Sequence, residues 1–276
     1  MKSLYGLLGE KLSHSFSPQI HSFIFDETKI DGSYHLFEVS GNELKEAIKG
    51  LKVLGIKGVN VTIPHKIDAM KYLDIISDEA KKIKAINTIC FKGNKTIGYN
   101  TDYYGFGMML YKYNIDVKNK RIVILGTGGA SRAVVQYLLD KGSKEIIFIT
   151  RNLKKAQKKL SGYKILTYND LEHLKEKDIL INCTPCGMYP NVEDCPVDKQ
   201  VVSKFKVAID LIYNPEKTLL LKYSKELNLK SINGLYMLVA QAIKSEELWN
   251  NIDIESDVVN EIYDRVYSLL YGGKSI

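Results

Sequence analysis

Arginine is scarce in this chain of 276 residues: Arg121, Arg132, Arg151 and Arg265 are all it has. The formal net charge of +7 is therefore a lysine charge, and the lysines are scattered through helix-like stretches. A nucleic-acid reader gathers its basic residues on one face, among aromatic readers. The scatter reads as a solvated Lys-rich surface, and no nucleic-acid partner is expected. The same field suits an anionic substrate and a phosphorylated cofactor. Long apolar runs are missing too: none reaches the roughly 18 residues of a membrane span. The opening Met1-Lys2-Ser3-Leu4-Tyr5-Gly6-Leu7-Leu8-Gly9 is too short for a signal peptide and lacks a small-residue cleavage site. A cytoplasmic protein with no membrane contact is the expectation. Cysteines are few: Cys90, Cys183, Cys186 and Cys195. Cys183-x-x-Cys186 has the spacing of a redox or zinc half-site, but a structural zinc needs two more ligands. Cys195 offers one, and no histidine follows His173. Reduced thiols and no metal are expected in that compartment.

Apolar residues make up 45% of the chain, enough for sizeable cores. Its length fits two domains of the usual size, about 100–200 residues each. Leu4–Gly9 reads as a strand. A helix follows, with Ser17 placed to cap and Pro18 at its first position. Tyr34–Val39 is a second strand. Asn42–Leu54 is an amphipathic helix with Leu44, Ile48 and Leu51 on one face and Gly55 as its stop. Val59–Ile63 is a third strand, ended by Pro64. Asn87–Tyr99 reads as a hairpin turning at Gly93-Asn94. From Lys120 a new pattern starts. The strands Arg121–Leu125, Glu145–Thr150, Lys164–Tyr168, Asp178–Thr184 and Lys206–Ile212 alternate with helices, including 131–140 and 153–160. Such alternation gives a parallel sheet covered by helices. Leu235–Asn250 and Ser256–Tyr271 are helical. Both halves are α/β, with a cleft expected between them.

Gly126-Thr127-Gly128-Gly129-Ala130-Ser131 lies between a strand and a helix. Either it is a plain connecting turn or it binds the phosphates of a dinucleotide, and the strand–turn–helix context favours the second. Its sixth position, Ser131, departs from the Gly or Ala of the usual fingerprint. The next strand ends Ile149-Thr150-Arg151-Asn152, followed by Leu153-Lys154-Lys155. An NAD reader places a carboxylate there for the ribose 2′-OH. This chain has Arg151 instead, which can clamp a 2′-phosphate in bidentate fashion. NADP is therefore expected over NAD.

Four first-half segments are unusually polar at strand ends: His14-Ser15-Phe16-Ser17-Pro18, Asn60-Val61-Thr62-Ile63-Pro64-His65-Lys66, Ala85-Ile86-Asn87-Thr88 and Gly98-Tyr99-Asn100-Thr101-Asp102. Carboxyl ends of parallel strands line a ligand crevice. Hydroxyls, amides, one lysine and one carboxylate there suit a polyhydroxylated acid. His65 reads as a surface residue. Trp249 and most tyrosines read as core and helix packing.

These segments together resemble the shikimate dehydrogenase family over almost the whole chain. The resemblance implies that Ser15 and Ser17 bind the substrate carboxylate and that Thr62 and Asn87 bind substrate. It implies Lys66 as the catalytic lysine, touching substrate, and Asp102 as its partner. Tyr213, in Asp210-Leu211-Ile212-Tyr213-Asn214-Pro215, and Gln241, in the segment beginning Gly234-Leu235-Tyr236, are implied near the substrate. For the cofactor it implies Gly126, Thr127, Gly128, Gly129 and Ala130, then Thr150, Arg151, Asn152 and Lys155, with Leu211, Gly234 and, by position, Asp78. Asn182-Cys183-Thr184-Pro185-Cys186-Gly187-Met188 matches the family's segment near the nicotinamide, which explains the cysteine spacing without metal. The chain departs from the family at Lys84, where a glycine is common, at Lys11-Leu12 in place of Pro-Ile, and at Thr150 in place of Asn.

The fold implied is an α/β substrate domain, residues 1–102 joined by helices of 237–276, plus a Rossmann-like NADP-binding domain, 103–236, with a parallel sheet. The activity implied is a reversible NADPH-dependent reduction of 3-dehydroshikimate to shikimate, on the route to chorismate and the aromatic amino acids. Lys66 as an ammonium would polarise the carbonyl and donate the proton. Two rivals remain: a quinate/shikimate dehydrogenase using NAD, and a non-catalytic nucleotide-sensing protein of the same fold. The first predicts an acid where Arg151 stands, the second loss of Lys66 or Asp102. The oligomeric state is left open, a homodimer admitted.

Overall fold

A computed structural model describes residues 2–272. The chain divides into two compact units. One is formed by the residues up to Met108 and those from Leu238 onward, the other by Met109–Met237.

The first unit starts with β1 (Ser3–Gly9), α1 (Ser17–Thr28), β2 (Gly32–Glu38), α2 (Leu44–Val53) and β3 (Gly58–Val61). Then come β4 (Ile75–Ile76), α3 (Asp78–Ile83), β5 (Thr88–Lys92), β6 (Lys95–Tyr99) and the start of α4 (Thr101–Lys112). Its sheet has the order β2-β1-β3-β5-β6-β4. Pairing is parallel between β1 and β2, β1 and β3, and β4 and β6. Only β5 runs the other way, antiparallel to both β3 and β6. The beginning of β5 therefore lies at the same edge as the ends of β3 and β6. That reversal corrects the expectation that all four polar segments sit at carboxyl ends of parallel strands: the segment around Asn87 precedes an antiparallel strand. The turn between β5 and β6 falls where Gly93 adopts φ +56°, as the Gly-Asn signal requires.

Leu44, Ile48 and Leu51 of α2 are buried on one face, and Gly55 takes φ +73° just past the helix. The start of α1 is shifted by one residue from expectation. Ser17 is itself the first helical residue, and Phe16 holds the cap position. Ser15 is the cause: its Oγ accepts the Ser17 N–H at 3.2 Å and donates to Ser17 Oγ at 3.1 Å. Strand β3 also stops two residues early. Thr62 through His65 form a turn closed by His65 N–H on the Thr62 carbonyl at 2.9 Å, which leaves Ile63 exposed.

In the second unit β7 (Arg121–Leu125), α5 (Gly129–Asp140), β8 (Glu145–Ile149), α6 (Leu153–Lys159) and β9 (Lys164–Leu166) come first. They are followed by β10 (Ile179–Asn182), α7 (Lys199–Val202), β11 (Val207–Asp210), α8 (Leu219–Glu226) and β12 (Lys230–Ile232). The strands lie in the order β12-β11-β10-β7-β8-β9, every pair parallel. This is a doubly wound Rossmann order, and its direction of winding reverses between β7 and β10. Ile122–Leu125, Ile147–Ile149 and Ile179–Ile181 are almost wholly buried, as strands covered on both faces must be.

The last helices, α9 (Leu235–Asn250) and α10 (Ser256–Tyr271), belong to the first unit from Leu238 onward. Trp249 of α9 stacks on Tyr5, ring centroids 5.2 Å apart, and its Nε1–H donates to the Ile89 carbonyl at 3.0 Å. Only glycine fits beneath it: a Cβ on Gly58 would stand 2.0 Å from the indole nitrogen. Arg265 of α10 reaches back to α1, donating to Glu27 Oε1 at 2.6 Å and Asp26 Oδ2 at 2.9 Å. Among the described residues, no helix is long and apolar enough to cross a membrane.

Candidate active site

The ends of β3 and β6 and the start of β5 bring Lys66, Asn87 and Asp102 together. Val61 N–H donates to the Asn87 carbonyl at 2.7 Å, Ile86 N–H to the Lys66 carbonyl at 2.9 Å, and Asn87 N–H to the Tyr99 carbonyl at 2.9 Å. These backbone bonds fix the three segments side by side. Lys66 Nζ donates to Asp102 Oδ2 at 2.6 Å, and Asn87 Nδ2 donates to the other oxygen, Oδ1, at 3.0 Å. Asp102 lies in the first turn of α4, where the helix dipole favours an anion. The lysine and aspartate side chains are 22% and 16% exposed: sheltered, yet open to a ligand. The pair can hold one proton at Nζ and deliver it to an oxygen placed beside it.

His65 is corrected. It is buried, 2% exposed, and its Nε2–H donates to the Val39 carbonyl at 2.8 Å. The turn after β3 rolls the imidazole under the loop, where it ties that loop to the end of β2.

Ser15, Ser17 and Thr62 are half-buried residues of the first unit. Thr62 follows β3 directly, its N–H on the Leu8 carbonyl at 3.0 Å. Gln241 sits on α9 with its Nε2 turned onto the Leu238 carbonyl of the same helix at 2.9 Å. Asp78 opens α3, its carboxylate 92% exposed and paired with Lys81 at 3.0 Å. No signal in the sequence singled out Tyr34. It is half-exposed as a residue, but its hydroxyl donates to Asn60 Oδ1 at 2.8 Å.

In the second unit, Gly126 takes φ +93° after β7, and a Cβ there would meet Thr184 at 2.7 Å. Glycine is thus required by both conformation and space. Gly128 holds the cap position of α5 and Gly129 its first residue, with open space where side chains would project. Thr127 precedes them and Ala130 follows in the first turn. Backbone N–H groups at this helix start are open to an anion. Ser131, the departure from the fingerprint, is buried, and its Oγ donates to the Gly128 carbonyl at 2.7 Å, bracing the turn.

A hollow of about 370 Å³ lies over this turn, at the switch point of the sheet. Its walls include Gly126, Gly128, Thr150, Arg151, Asn152 and Lys155, so its lining carries two cations and no carboxylate. Thr150 stands where an Asn was expected, and its Oγ1 accepts the Asn152 N–H at 3.2 Å. Asn152 caps α6 by accepting the Lys155 N–H at 2.9 Å. A second hollow of about 680 Å³ shares Arg151, Tyr168, Thr184 and Pro185 with the first and adds Met188 and Tyr189. Leu211 and Gly234 touch: a Cβ on Gly234 would lie 2.0 Å from the Leu211 carbonyl oxygen, so the loop before α9 must be glycine there. Tyr213 follows β11, its phenol pushed up by burial.

Asp210, at the end of β11, is fully buried, and desolvation pushes its carboxyl up to about 6. Asn182 Nδ2, Ile212 N–H and Thr218 Oγ1 donate to it at 3.0, 3.1 and 2.7 Å. The thiols of Cys90, Cys183, Cys186 and Cys195 are unpaired, and burial raises each of them.

Residues 7–89 match a family profile described as shikimate dehydrogenase substrate binding domain, and residues 109–208 one described as shikimate / quinate 5-dehydrogenase. The chain is 47% identical over 265 residues to the shikimate dehydrogenase (NADP(+)) of Clostridium perfringens, covering 95% of this chain and 98% of that one. Its structure is similar to that of a chorismate mutase/shikimate 5-dehydrogenase fusion protein from Clostridium acetobutylicum, with a TM-score of 0.95 and 49% identity over 98% of this chain and 99% of that one. A shikimate dehydrogenase solved in complex with NADP+ is 40% identical at a TM-score of 0.85, covering 96% of each chain.

Proposed function

The chain belongs to the shikimate dehydrogenase family, and on that premise we propose how its own residues reduce 3-dehydroshikimate to shikimate with NADPH. The observation that carries the reading is the Lys66 Nζ–Asp102 Oδ2 contact at 2.6 Å, with Asn87 on the second carboxylate oxygen. Asp102 aims the lysine, its Oδ2 accepting the Nζ hydrogen bond at 2.6 Å. Lys66 Nζ donates a hydrogen bond to the substrate ketone, draws charge onto its oxygen and transfers the proton there. In the oxidation of shikimate the same nitrogen accepts the hydroxyl proton. Asn87 holds Asp102 with one amide hydrogen. Ser15 and Ser17 bind the substrate carboxylate through their hydroxyls, and Thr62, Tyr213 and Gln241 bind the rest of the substrate.

The residues of the second unit fit NADP. The bare turn of Gly126, Thr127, Gly128, Gly129 and Ala130 at the start of α5 takes the pyrophosphate. Arg151 and Lys155, with Thr150 and Asn152 fixing the loop between them, take the 2′-phosphate, and no carboxylate lines that hollow to repel it. The segment 182–188 lies near the nicotinamide. Leu211 and Gly234 contact the cofactor, and Asp78 is assigned to it as well. When bound, NADPH supplies the hydride.

The test is absorbance at the reduced-nicotinamide band, offering shikimate and quinate each with NADP and with NAD. Fast reduction with shikimate plus NADP alone is the expected result. Turnover of quinate would move the chain to the quinate/shikimate dehydrogenase reading, and preference for NAD would overturn the assignment of Arg151. Silence in all four mixtures from folded protein would overturn the catalytic reading.

A further inference from the structure

Behind the Lys66–Asp102 pair lies a buried cluster of side chains that the chemistry above leaves without a role. At its centre is Ser245 of α9, wholly buried. Asn60 Nδ2 donates to Ser245 Oγ at 2.8 Å, and the hydroxyls of Thr88 and Thr101 lie 3.0 and 3.2 Å from the same oxygen. Ser245 Oγ donates its own proton to the Gln241 carbonyl one turn back, at 2.9 Å. With its proton on Gln241, the serine oxygen has two lone pairs, so it accepts from Asn60 and from one of the two threonine hydroxyls at a time.

The bonds run from this hydroxyl to the carboxylate. Thr101 N–H donates to Asn87 Oδ1 at 2.6 Å, which fixes that amide so that its Nδ2 faces Thr101 Oγ1 and Asp102 Oδ1, both at 3.0 Å. Thr88 Oγ1 lies 3.2 Å from Asn87 Oδ1 on the other side. Asn60 is held in turn by Tyr34, whose hydroxyl donates to Asn60 Oδ1 at 2.8 Å. Asn60, Asn87, Thr88 and Thr101 are all buried. Inside a protein such a network has no water to replace a missing partner, so its geometry is stiff only while every member is satisfied.

We propose that Ser245 is a positioning residue for the reaction. Its buried hydroxyl ties Asn60, Thr88 and Thr101 to α9, and through Asn87 it sets the Asp102 carboxylate and hence Lys66 Nζ. The inference rests on the reading of Lys66 and Asp102 given above. Ser245 touches neither of them, and it acts by denying Asn87 any other orientation. Thr88 and Thr101 Oγ1 each also lie 3.2 Å from Asn87 Oδ1, so removing the serine oxygen turns the hydroxyl it held onto that amide and loosens its grip on Asp102. The effect falls on the proton-transfer step and leaves NADP binding alone, because no group in the cluster is among those that hold the cofactor.

The test is steady-state oxidation of shikimate by wild type, Ser245→Ala, Thr101→Val and the double variant, with circular dichroism and thermal melts for folding. Each single variant is expected to lower kcat about tenfold, the scale of one buried hydrogen bond, with KM for NADP unchanged. Because the two residues serve one network, the double variant is expected to be no more than about twofold slower than the slower single one. A folded Ser245→Ala with wild-type kcat overturns the proposal, and so do losses that multiply in the double variant. A fall confined to stability, or a rise in KM for NADP equal to the loss in kcat, also overturns it. If Ser245→Ala does not fold, Thr88→Val joins Thr101→Val as the deciding pair, and unchanged kcat in both is the refuting result. Wild type without shikimate turnover would defeat the functional reading and this inference with it. Wild-type turnover with unaffected variants would defeat this inference alone.

Discussion

Asp210→Asn should change how stability depends on pH, and the size of the change follows from burial. In the folded chain the Asp210 carboxyl is raised from 3.8 to about 6. A carboxyl raised on folding binds its proton more tightly in the folded state. Its contribution to stability is therefore complete below about pH 4 and is lost as pH rises through about 6. The gap of about 2 pK units corresponds to about 3 kcal/mol between those limits. Asparagine has the same shape and no charge to desolvate. Its oxygen can accept from Asn182 and Ile212, and its amide can donate to Thr218 Oγ1. The Thr218 proton then loses its acceptor, a cost of about 1–3 kcal/mol that is the same at every pH. The quantity to measure is thus the difference in unfolding free energy between variant and wild type across pH 4–8. That difference should move in favour of the variant by about 3 kcal/mol as pH rises. Urea unfolding followed by far-ultraviolet dichroism reads the whole chain, while fluorescence of Trp249, the chain's one tryptophan, reads the first unit. The shift should appear in the dichroism and not in the fluorescence transition. A difference that stays flat from pH 4 to 8 would refute the reasoning.

Lys66→Ala should cut turnover by about 10²–10⁴, the range for loss of a general acid, with KM for shikimate largely kept; comparable kcat would sink the catalytic assignment. Arg151→Ala should raise KM for NADP far more than KM for NAD, and an equal effect on both would contradict the phosphate clamp. Lys84→Gly should stabilise the chain by about 0.5 kcal/mol: Lys84 holds φ +58°, a left-handed cost of about 1–2 kcal/mol that exceeds glycine's extra chain entropy. A lower melting temperature in that variant would count against it. Gly58→Ala should lower stability by about 1–3 kcal/mol, the cost of overpacking, and red-shift Trp249 emission, because the new methyl occupies the place of the indole nitrogen. Unchanged emission would show that the slot accommodates a methyl.

Local patterns carried the second unit well. The runs Arg121–Leu125 and Glu145–Ile149 are short, apolar and bounded by polar turns, which is the signature of a strand buried on both faces. The glycine-rich turn declared itself because each glycine answers a local demand, such as φ +93° at Gly126. The family's glycine at the position of Lys84 becomes intelligible once the backbone there proves left-handed. Local patterns failed where partners are distant. Strand β5 looks like the arm of any hairpin, and nothing in Thr88–Lys92 says that β3, far back in the chain, lies antiparallel on its other side. His65 has a polar neighbourhood in sequence, and its burial follows from a carbonyl 26 residues away. Helix α4 as a whole has no counterpart in the sequence reading, because Thr101-Asp102 reads as a strand end, though Asn100 accepts the Tyr103 N–H as a cap would. Ser245 left one faint trace: it stands four residues after Gln241, on the same helical face. Its bond to Asn60 spans 185 residues and has no local sign.

Trp249 over Gly58 also orders events during synthesis. Residues 109–237 contain all six strands of their sheet and can pair all of them before any later residue is made. The first unit cannot: Tyr5, Phe25 and Cys90 form one buried cluster with Trp249, and the indole is still inside the ribosome when the strands around it are already out. Domains usually mature in the order in which they are translated. Here the unit whose strands are made first is finished last, and the nascent chain carries an open apolar seam above Gly58 until α9 arrives to seal it.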